Sequence, residues 1–464
     1  MLYPSIFKAY DIRGIVGDTL TEEAVFSIGR ALASAAFARG ESAFVVGRDG
    51  RLSGPKLKEA LVAGLRKSGA DVIDLGVVTT PMVYFGVETL AARCGAMVTG
   101  SHNPPEYNGL KMVMSNQALY GDSILELYQR ILKEDFVEGA GAYEEFDIAD
   151  DYVERIAGDI RLATPLSIAV DCGNGVAGPI ALRLYRRLGC EVVELFCDID
   201  GTFPNHHPDP ANPENLRDLV RVLQQGESEV GLAFDGDGDR LGVVDKSGRV
   251  IYPDRQLILF AQDMLTRNPG ACVIFDVKCS RTLARAIERA GGVPLMWKTG
   301  HSLIKAKLRE TSAELAGEMS GHIFFKERWY GFDDGLYAGA RMLEILAKEK
   351  LLGRTPTAVL EGLPDSETTP ELHVELKEGQ NYDVIDRLQR GAADLFAGLG
   401  AEQIHLVDGV RVDYADGFGL ARASNTTPVI VLRFEGEDRL ALLRIQDDFR
   451  RALLHIEPSL RLPY

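Results

Sequence analysis

Asp235-Gly236-Asp237-Gly238-Asp239-Arg240 sets three carboxylates on alternate residues directly after an apolar run, Val230 to Phe234. In an extended stretch alternate side chains share a face, so the three are expected to converge on one point while the glycines let the backbone bend. Like charges that close raise one another's pKa unless a cation sits among them, and a hard divalent ion with oxygen ligands, Mg²⁺ first, meets that demand. A calcium loop is excluded by count: with Asp235 at position 1, Arg240 stands at position 6 where glycine is needed, and Lys246 at position 12 where glutamate is needed. A second turn, Thr99-Gly100-Ser101-His102-Asn103-Pro104-Pro105, follows another apolar run, Cys94 to Val98, and offers a serine able to act as nucleophile or to carry phosphate. Adjacent residues of an extended turn point to opposite sides and no G-x-S-x-G elbow is present, which disfavours a hydrolase triad. In a third, Gly317-Glu318-Met319-Ser320-Gly321-His322, the polar residues Glu318, Ser320 and His322 alternate and are expected to share one face, a combination suited to neighbouring sugar hydroxyls. Near the end, Arg422-Ala423-Ser424-Asn425-Thr426-Thr427-Pro428 combines a guanidinium, hydroxyls and turn amides, the composition of an oxyanion cradle. The histidine pair His206-His207 suits a structural loop better than a metal, because chain neighbours rarely chelate one ion.

These turns need rigid elements behind them, and the chain supplies short β-branched runs alternating with helical patterns, the mark of an α/β protein. A similar unit recurs three times. Strands are expected over Ala43 to Gly47, Leu166 to Asp171 and Ala271 to Asp276, each followed by a polar turn and a helix, over about 55–68, 178–188 and 281–290. Pro55 and Pro179 fit a first helical turn and Ser280 fits an N-cap. Turn-rich breaks at Gly139 to Ala142, Tyr252-Pro253 and Pro364 to Pro370 place boundaries for units of 1–147, 148–252, 253–364 and 365–464. The last unit reads as a smaller α+β domain: a strand at 371–376, a helix at about 381–397, and strands near 403–413 and 428–434. The expected fold is therefore three tandem related α/β domains with mixed sheets and a smaller α+β domain after them.

A chain of 464 residues with 46% apolar and 26% charged residues can bury several cores. Its net charge of −17 repels polyanions, so nucleic acid is not an expected partner and any anionic substrate requires a local concentration of Arg and Lys. Charged Lys8, Asp11 and Arg13 follow too soon for a secretory leader, and no apolar run reaches the ~20 residues of a membrane span. A cytoplasmic protein without a membrane partner is expected. The six cysteines, with no C-x-x-C pair, are expected to be reduced core thiols.

Taken together, Lys8-Ala9-Tyr10-Asp11-Ile12-Arg13-Gly14 and the four loops above resemble, in order and spacing over essentially the whole chain, the α-D-phosphohexomutases. Glu318-Met319-Ser320, Phe203-Pro204-Asn205-His206-His207-Pro208 and Ser424-Asn425-Thr426 are most similar to the bacterial phosphomannomutase/phosphoglucomutase branch. The phosphoglucosamine branch usually carries Ser-Gly-Thr in the last loop. The resemblance implies a phosphoserine at Ser101 that exchanges its phosphoryl group with a hexose phosphate through a hexose 1,6-bisphosphate, which also serves as activator. It implies Mg²⁺ on Ser101, Asp235, Asp237 and Asp239. Arg13, Lys111, His102 and His301 are implied beside the reacting serine, with Lys111 or a histidine preferred as proton carrier because arginine stays protonated. Tyr10, Arg240, Lys278, Glu318, Ser320, His322, Arg422, Ser424, Asn425 and Thr426 are implied to bind substrate. The four units would then be a phosphoserine domain, a metal-binding domain, a sugar-binding domain and a phosphate-binding lid. A monomer is expected. The alternatives are a phosphoglucosamine mutase, a metal-dependent phosphatase and a non-catalytic sugar-phosphate binder; intact Ser101 and all three aspartates disfavour the last.

Overall fold

The computed structural model describes residues 2–425 and 427–464, so the expectation placed on Thr426 lies outside the described residues. The first sheet runs, from edge to edge, Ile12–Ile15, Tyr107–Met114, Cys94–Val98, Ala43–Arg48, Asp71–Val77 and Tyr143–Glu145, with Gln117–Ala118 paired to Tyr107–Met114. The second runs Val250–Ile251, Leu241–Asp245, Val230–Phe234, Ser167–Asp171 and Glu191–Leu195, and the third Val293–Trp297, Cys272–Asp276, Leu315–Gly317 and Ile323–Phe325. All three are mixed. In each, one strand is parallel to its neighbour on one side and antiparallel to the strand that follows it in sequence: Cys94–Val98, Val230–Phe234 and Leu315–Gly317. Ser101, the Asp235 loop and the Glu318 loop each follow that strand, so three unrelated motifs occupy one topological position.

Pro55 and Pro179 stand in the first turns of helices Gly54–Lys67 and Gly178–Arg187, and the Ser280 hydroxyl accepts the Thr282 amide ahead of helix Arg281–Arg289. One apolar core runs through the first three units, from Val45 and Phe85 to Leu346, and closes around Trp329, which stacks on Tyr337 with centroids 4.3 Å apart. A second core fills the other face of the first sheet.

The C-terminal sheet is antiparallel throughout: Glu367–Thr368, Val429–Gly436, Gly417–Ala423, Val410–Tyr414 and Ala401–His405, with Leu372–Glu375 beside Val429–Gly436. Here the sequence reading needs correction. The stretch 403–413 is two strands joined by a turn at Gly409, φ +76°, and Gly417–Ala423 is a fully buried strand that went unforeseen. Its glycines hid it. A Cβ on Gly419 would stand 2.3 Å from the Phe449 ring, so close packing of helix Arg439–Ile456 excludes the side chains that usually signal a strand. All six cysteines are free thiols, five of them buried. Among the described residues no helix is long and apolar enough to cross a membrane.

Candidate active site

Ser101 is buried on a turn, in the left-handed region at φ +49°, a conformation that a non-glycine residue holds only when its surroundings over-determine it. The surroundings are Asp49 and Arg51, which sequence reasoning missed. Asp49 Oδ2 accepts from the Thr99 hydroxyl (2.8 Å) and the Gly100 amide (3.2 Å). The wholly buried Arg51 guanidinium donates to the carbonyls of Ser101 (2.8 Å), Asn103 (2.6 Å), Pro104 (2.6 Å) and Tyr107 (3.1 Å). The only sequence signal was Asp49-Gly50-Arg51 at a strand end.

The Ser101 hydroxyl donates to Asp235 Oδ2 at 3.1 Å and lies 3.3 Å from His102 Nδ1. Asp235, Asp237 and Asp239 are wholly buried, with one oxygen of each within 4.8 Å of the others. Convergence does not come from strand alternation as expected. The segment is a turn, closed by the Gly238 amide on the Asp235 carbonyl (3.1 Å), with Gly238 at φ +77°. Gly236 is required because a Cβ there would meet the Ser101 carbonyl oxygen at 2.3 Å. Burial, then the charges of Asp237 and Asp239, push Asp235 well above the ordinary carboxylate range. Asp237 is held low: burial opposes ionisation, but the Lys111 ammonium at 2.7 Å and the Thr80 hydroxyl at 2.5 Å outweigh it. Among the described residues the buried Asp237 Oδ1 and Asp239 Oδ1 have no hydrogen-bond partner, so the cluster fits a hard cation with oxygen ligands.

Lys111 pairs with both Asp237 and Asp239, and those carboxylates overcome its burial and hold its pKa above the ordinary lysine value. Arg13 bonds Asn103 and Asp11. Partial burial, then the charges of Arg240, Arg13 and Lys111, keep His102 well below the ordinary imidazole value; burial, then Lys305, does the same to His301.

His322 enters this centre rather than lining a shared face with Glu318 and Ser320. Glu318 to His322 is a hairpin turn, with the Glu318 amide donating to the His322 carbonyl at 2.9 Å, and Ser320 sits at its tip. His322 Nε2 accepts from Arg240 Nε at 3.0 Å, which leaves the proton on Nδ1, 3.0 Å from Asp333 Oδ2 and 3.5 Å from Asp239 Oδ1. Asp333, also missed, is buried, binds Lys305 Nζ at 2.8 Å and lies 3.7 Å from His301 Nδ1.

Glu318 accepts the Gly300 amide, and burial raises its carboxyl to about 7. Beyond it Tyr10 donates to the Thr299 carbonyl at 2.8 Å and accepts from Asn425, joining the first, third and last units. Arg422 Nε binds Asp408, missed from sequence, at 2.9 Å, and Asp408 also accepts the Thr299 amide at 3.0 Å. Ser424 and Thr427 hydroxyls are 3.0 Å apart. Lys278 Nζ binds Glu371 at 2.6 Å. His206 braces the loop as expected, its Nε2 lying 3.0 Å from Asp171.

Loops of the first three sheets thus bring a buried serine, a carboxylate cluster, a histidine with an acceptor nitrogen and the cations Lys111 and Arg240 into one buried centre, to which the fourth sheet is joined through Arg422 and Asn425; this is the equipment of a phosphoryl-transfer enzyme. Family models described as phosphoglucomutase/phosphomannomutase alpha/beta/alpha domains I, II and III match residues 4–138, 150–248 and 252–365, and the C-terminal domain of the same family matches 371–452. The chain is 52% identical over 460 residues to a phosphomannomutase/phosphoglucomutase of Pseudomonas putida, covering 99% of this chain and 98% of the relative. It is 55% identical over 461 residues to a phosphoglucomutase of Neisseria meningitidis, with coverage of 99% and 98%. A crystal structure of a phosphoglucomutase/phosphomannomutase family protein from Burkholderia thailandensis superposes with a TM-score of 0.94 at 58% identity, covering 100% of both chains. The chain belongs to the phosphoglucomutase/phosphomannomutase family of the α-D-phosphohexomutases and is an enzyme of the phosphomutase class.

Proposed function

We propose that the enzyme interconverts hexose 1-phosphates and hexose 6-phosphates, of both glucose and mannose, using Ser101 as phosphoryl carrier. Phosphoserine 101 passes its phosphoryl group to the free hydroxyl of the substrate; the hexose 1,6-bisphosphate so formed turns over in the cleft and returns its other phosphate to Ser101. The same bisphosphate serves as activator. The cation would be Mg²⁺, held by Asp235, Asp237, Asp239 and an oxygen at Ser101, and when bound it would supply positive charge beside the phosphoryl oxygens. His322 takes the proton of the attacking hydroxyl at Nε2 once Arg240 turns to the substrate, and Asp333 holds the opposite nitrogen protonated and oriented. Lys111, already charged, donates toward the departing Ser101 oxygen, with Arg13 and His102 completing the surround. His301 and Tyr10 border the sugar, and Glu318 and Ser320 hold its 3- and 4-hydroxyls, which nearly exchange when the ring is flipped. Arg422, Ser424, Asn425 and Thr426, with Lys278, grip the phosphate that is not reacting. In this scheme residues 1–147 carry the phosphoserine, 148–252 the metal, 253–364 the sugar contacts and 365–464 the lid, in a monomeric cytoplasmic enzyme acting on free sugar phosphates.

The observation that carries this reading is the Ser101 hydroxyl bonded at 3.1 Å to a carboxylate of a buried triad with unpartnered oxygens. Intact-mass measurement before and after incubation with glucose 1,6-bisphosphate and Mg²⁺ tests it. One phosphoryl group gained at Ser101, together with isomerisation of glucose 1-phosphate and no net phosphate release, is the expected result. Steady release of inorganic phosphate instead favours the phosphatase alternative.

A further inference from the structure

A cavity of about 340 Å³ lies between the first and third units, behind helix His301–Thr311, and shares no lining residue with the serine or metal loops. The volume is within the range of small-molecule sites, about 300–1,000 Å³. Its walls are aromatic: Tyr84 and Phe332 meet with ring centroids 5.6 Å apart, and Tyr330 stacks on Phe332 at 6.0 Å.

Its charges are unbalanced. Lys305 is neutralised by Asp333 at 2.8 Å and Glu310 by Lys307 at 2.6 Å. Among the described residues the Arg309 guanidinium donates only to the Asn116 carbonyl, and Lys326 has no ion-pair partner. Glu88, which accepts from Asn116 at 3.2 Å, is the other carboxylate among the lining residues. The lining thus holds three cations, Lys305, Arg309 and Lys326, against two carboxylates, Glu88 and Glu310, a small positive excess on a chain of charge −17. Independently, Ser302, only 1% exposed, is among the lining residues, and its hydroxyl has no hydrogen-bond partner among the described residues. A buried hydroxyl left unpaired is costly and is expected to meet a ligand or water.

We propose that this cavity binds a small aromatic anion, its ring against Tyr84 and Phe332, its charge toward Lys326 and Arg309, and a polar edge on Ser302. A nucleotide and an aromatic carboxylate share that chemistry.

The test uses the full chain with Mg²⁺ and no substrate, so its outcome is independent of the mutase reading. Anilinonaphthalene sulfonate is expected to bind saturably at one site per chain, with energy transfer from nearby Trp329. Ala306→Trp, which fills the cavity, and Lys326→Glu, which reverses a charge, are each expected to weaken binding at least tenfold while turnover persists. Lys326→Glu is on the exposed rim and keeps the test valid if Ala306→Trp does not fold. Displacement by adenosine monophosphate assigns a nucleotide and displacement by benzoate assigns a carboxylate; either upholds the site. Unchanged affinity in both variants, or displacement equally good with inorganic phosphate alone, overturns it.

Discussion

Asp49 and Arg51 hold the backbone around Ser101 at its φ of +49° through bonds that do not use the hydroxyl. Ser101→Ala is therefore expected to melt within a few degrees of the wild type and to lose turnover by about 10³-fold or more, since the phosphoryl carrier is gone. Retention of full rate in a coupled mutase assay would exclude the serine as carrier. Glu318 makes a prediction in pH. Its raised pKa of about 7 means that it is charged above that value and increasingly protonated below it. A neutral carboxyl accepts from sugar hydroxyls less well, so KM is expected to rise several-fold as pH falls from about 8 to 6. In Glu318→Gln the KM is expected to be higher throughout, with that part of the slope gone. Because substrate phosphate titrates equally in both assays, identical pH slopes in the two proteins would refute the assignment.

At the scale of elements, the position after the strand that is parallel to one neighbour and antiparallel to the strand following it recurs in all three mixed sheets and carries the serine in the first, the clustered carboxylates in the second and Glu318 in the third. In each case the chain leaves the sheet there and returns antiparallel, so the loop is anchored by a strand at either end and projects from a strand edge, where α/β proteins gather ligands. Anchoring is not sufficient for the serine loop, whose carbonyls would be buried unpaired without Arg51. Lysine cannot span four carbonyls with one ammonium. Arg51→Lys is expected to cost about 2–4 kcal/mol in denaturant unfolding, from carbonyls left unsatisfied at about 1–3 kcal/mol each, and to lower kcat at least tenfold. A variant as stable and as fast as wild type would show that the loop holds itself.

Across the whole molecule, Tyr10 joins three units through Thr299 and Asn425, while Asp408 ties Arg422 to the same Thr299. Tyr10→Phe removes two hydrogen bonds at the seam without emptying the space. A rise in KM of about 3–30-fold, equivalent to about 1–2 kcal/mol, is expected with little change in melting temperature; an unchanged KM would mean that the seam does not contribute to substrate capture. The assembled cleft also predicts breadth. Glucose and mannose differ only at the 2-hydroxyl, to which none of the assigned residues is dedicated. Their kcat/KM values are expected within about a hundredfold, or about 3 kcal/mol, near what one polar contact contributes. A ten-thousandfold preference would reveal a 2-hydroxyl contact not yet assigned.

The loops that carry the chemistry were readable in the sequence because each packs its polar groups into a few consecutive residues: Asp235, Asp237 and Asp239 stay close in whatever turn they adopt. The three repeated α/β units were readable for the same reason, since strand runs, first-turn prolines and an N-cap serine act over local distances. The reasoning from alternation did not hold, because glycines turned the Asp235 and Glu318 segments into tight turns where side chains converge by curvature. Tertiary structure alone decided the supporting residues. Thr80 meets Asp237 across 157 positions of sequence, and Asp49, Arg51, Asp333 and Asp408 reach their partners only after sheets and units have packed. Sequence by itself thus determined which polar groups cluster in each loop and which elements hold them. Protonation and orientation, from the tautomer of His322 to the charge on Lys111, depend on burial and on charges brought from distant parts of the chain, and those exist only in the folded molecule.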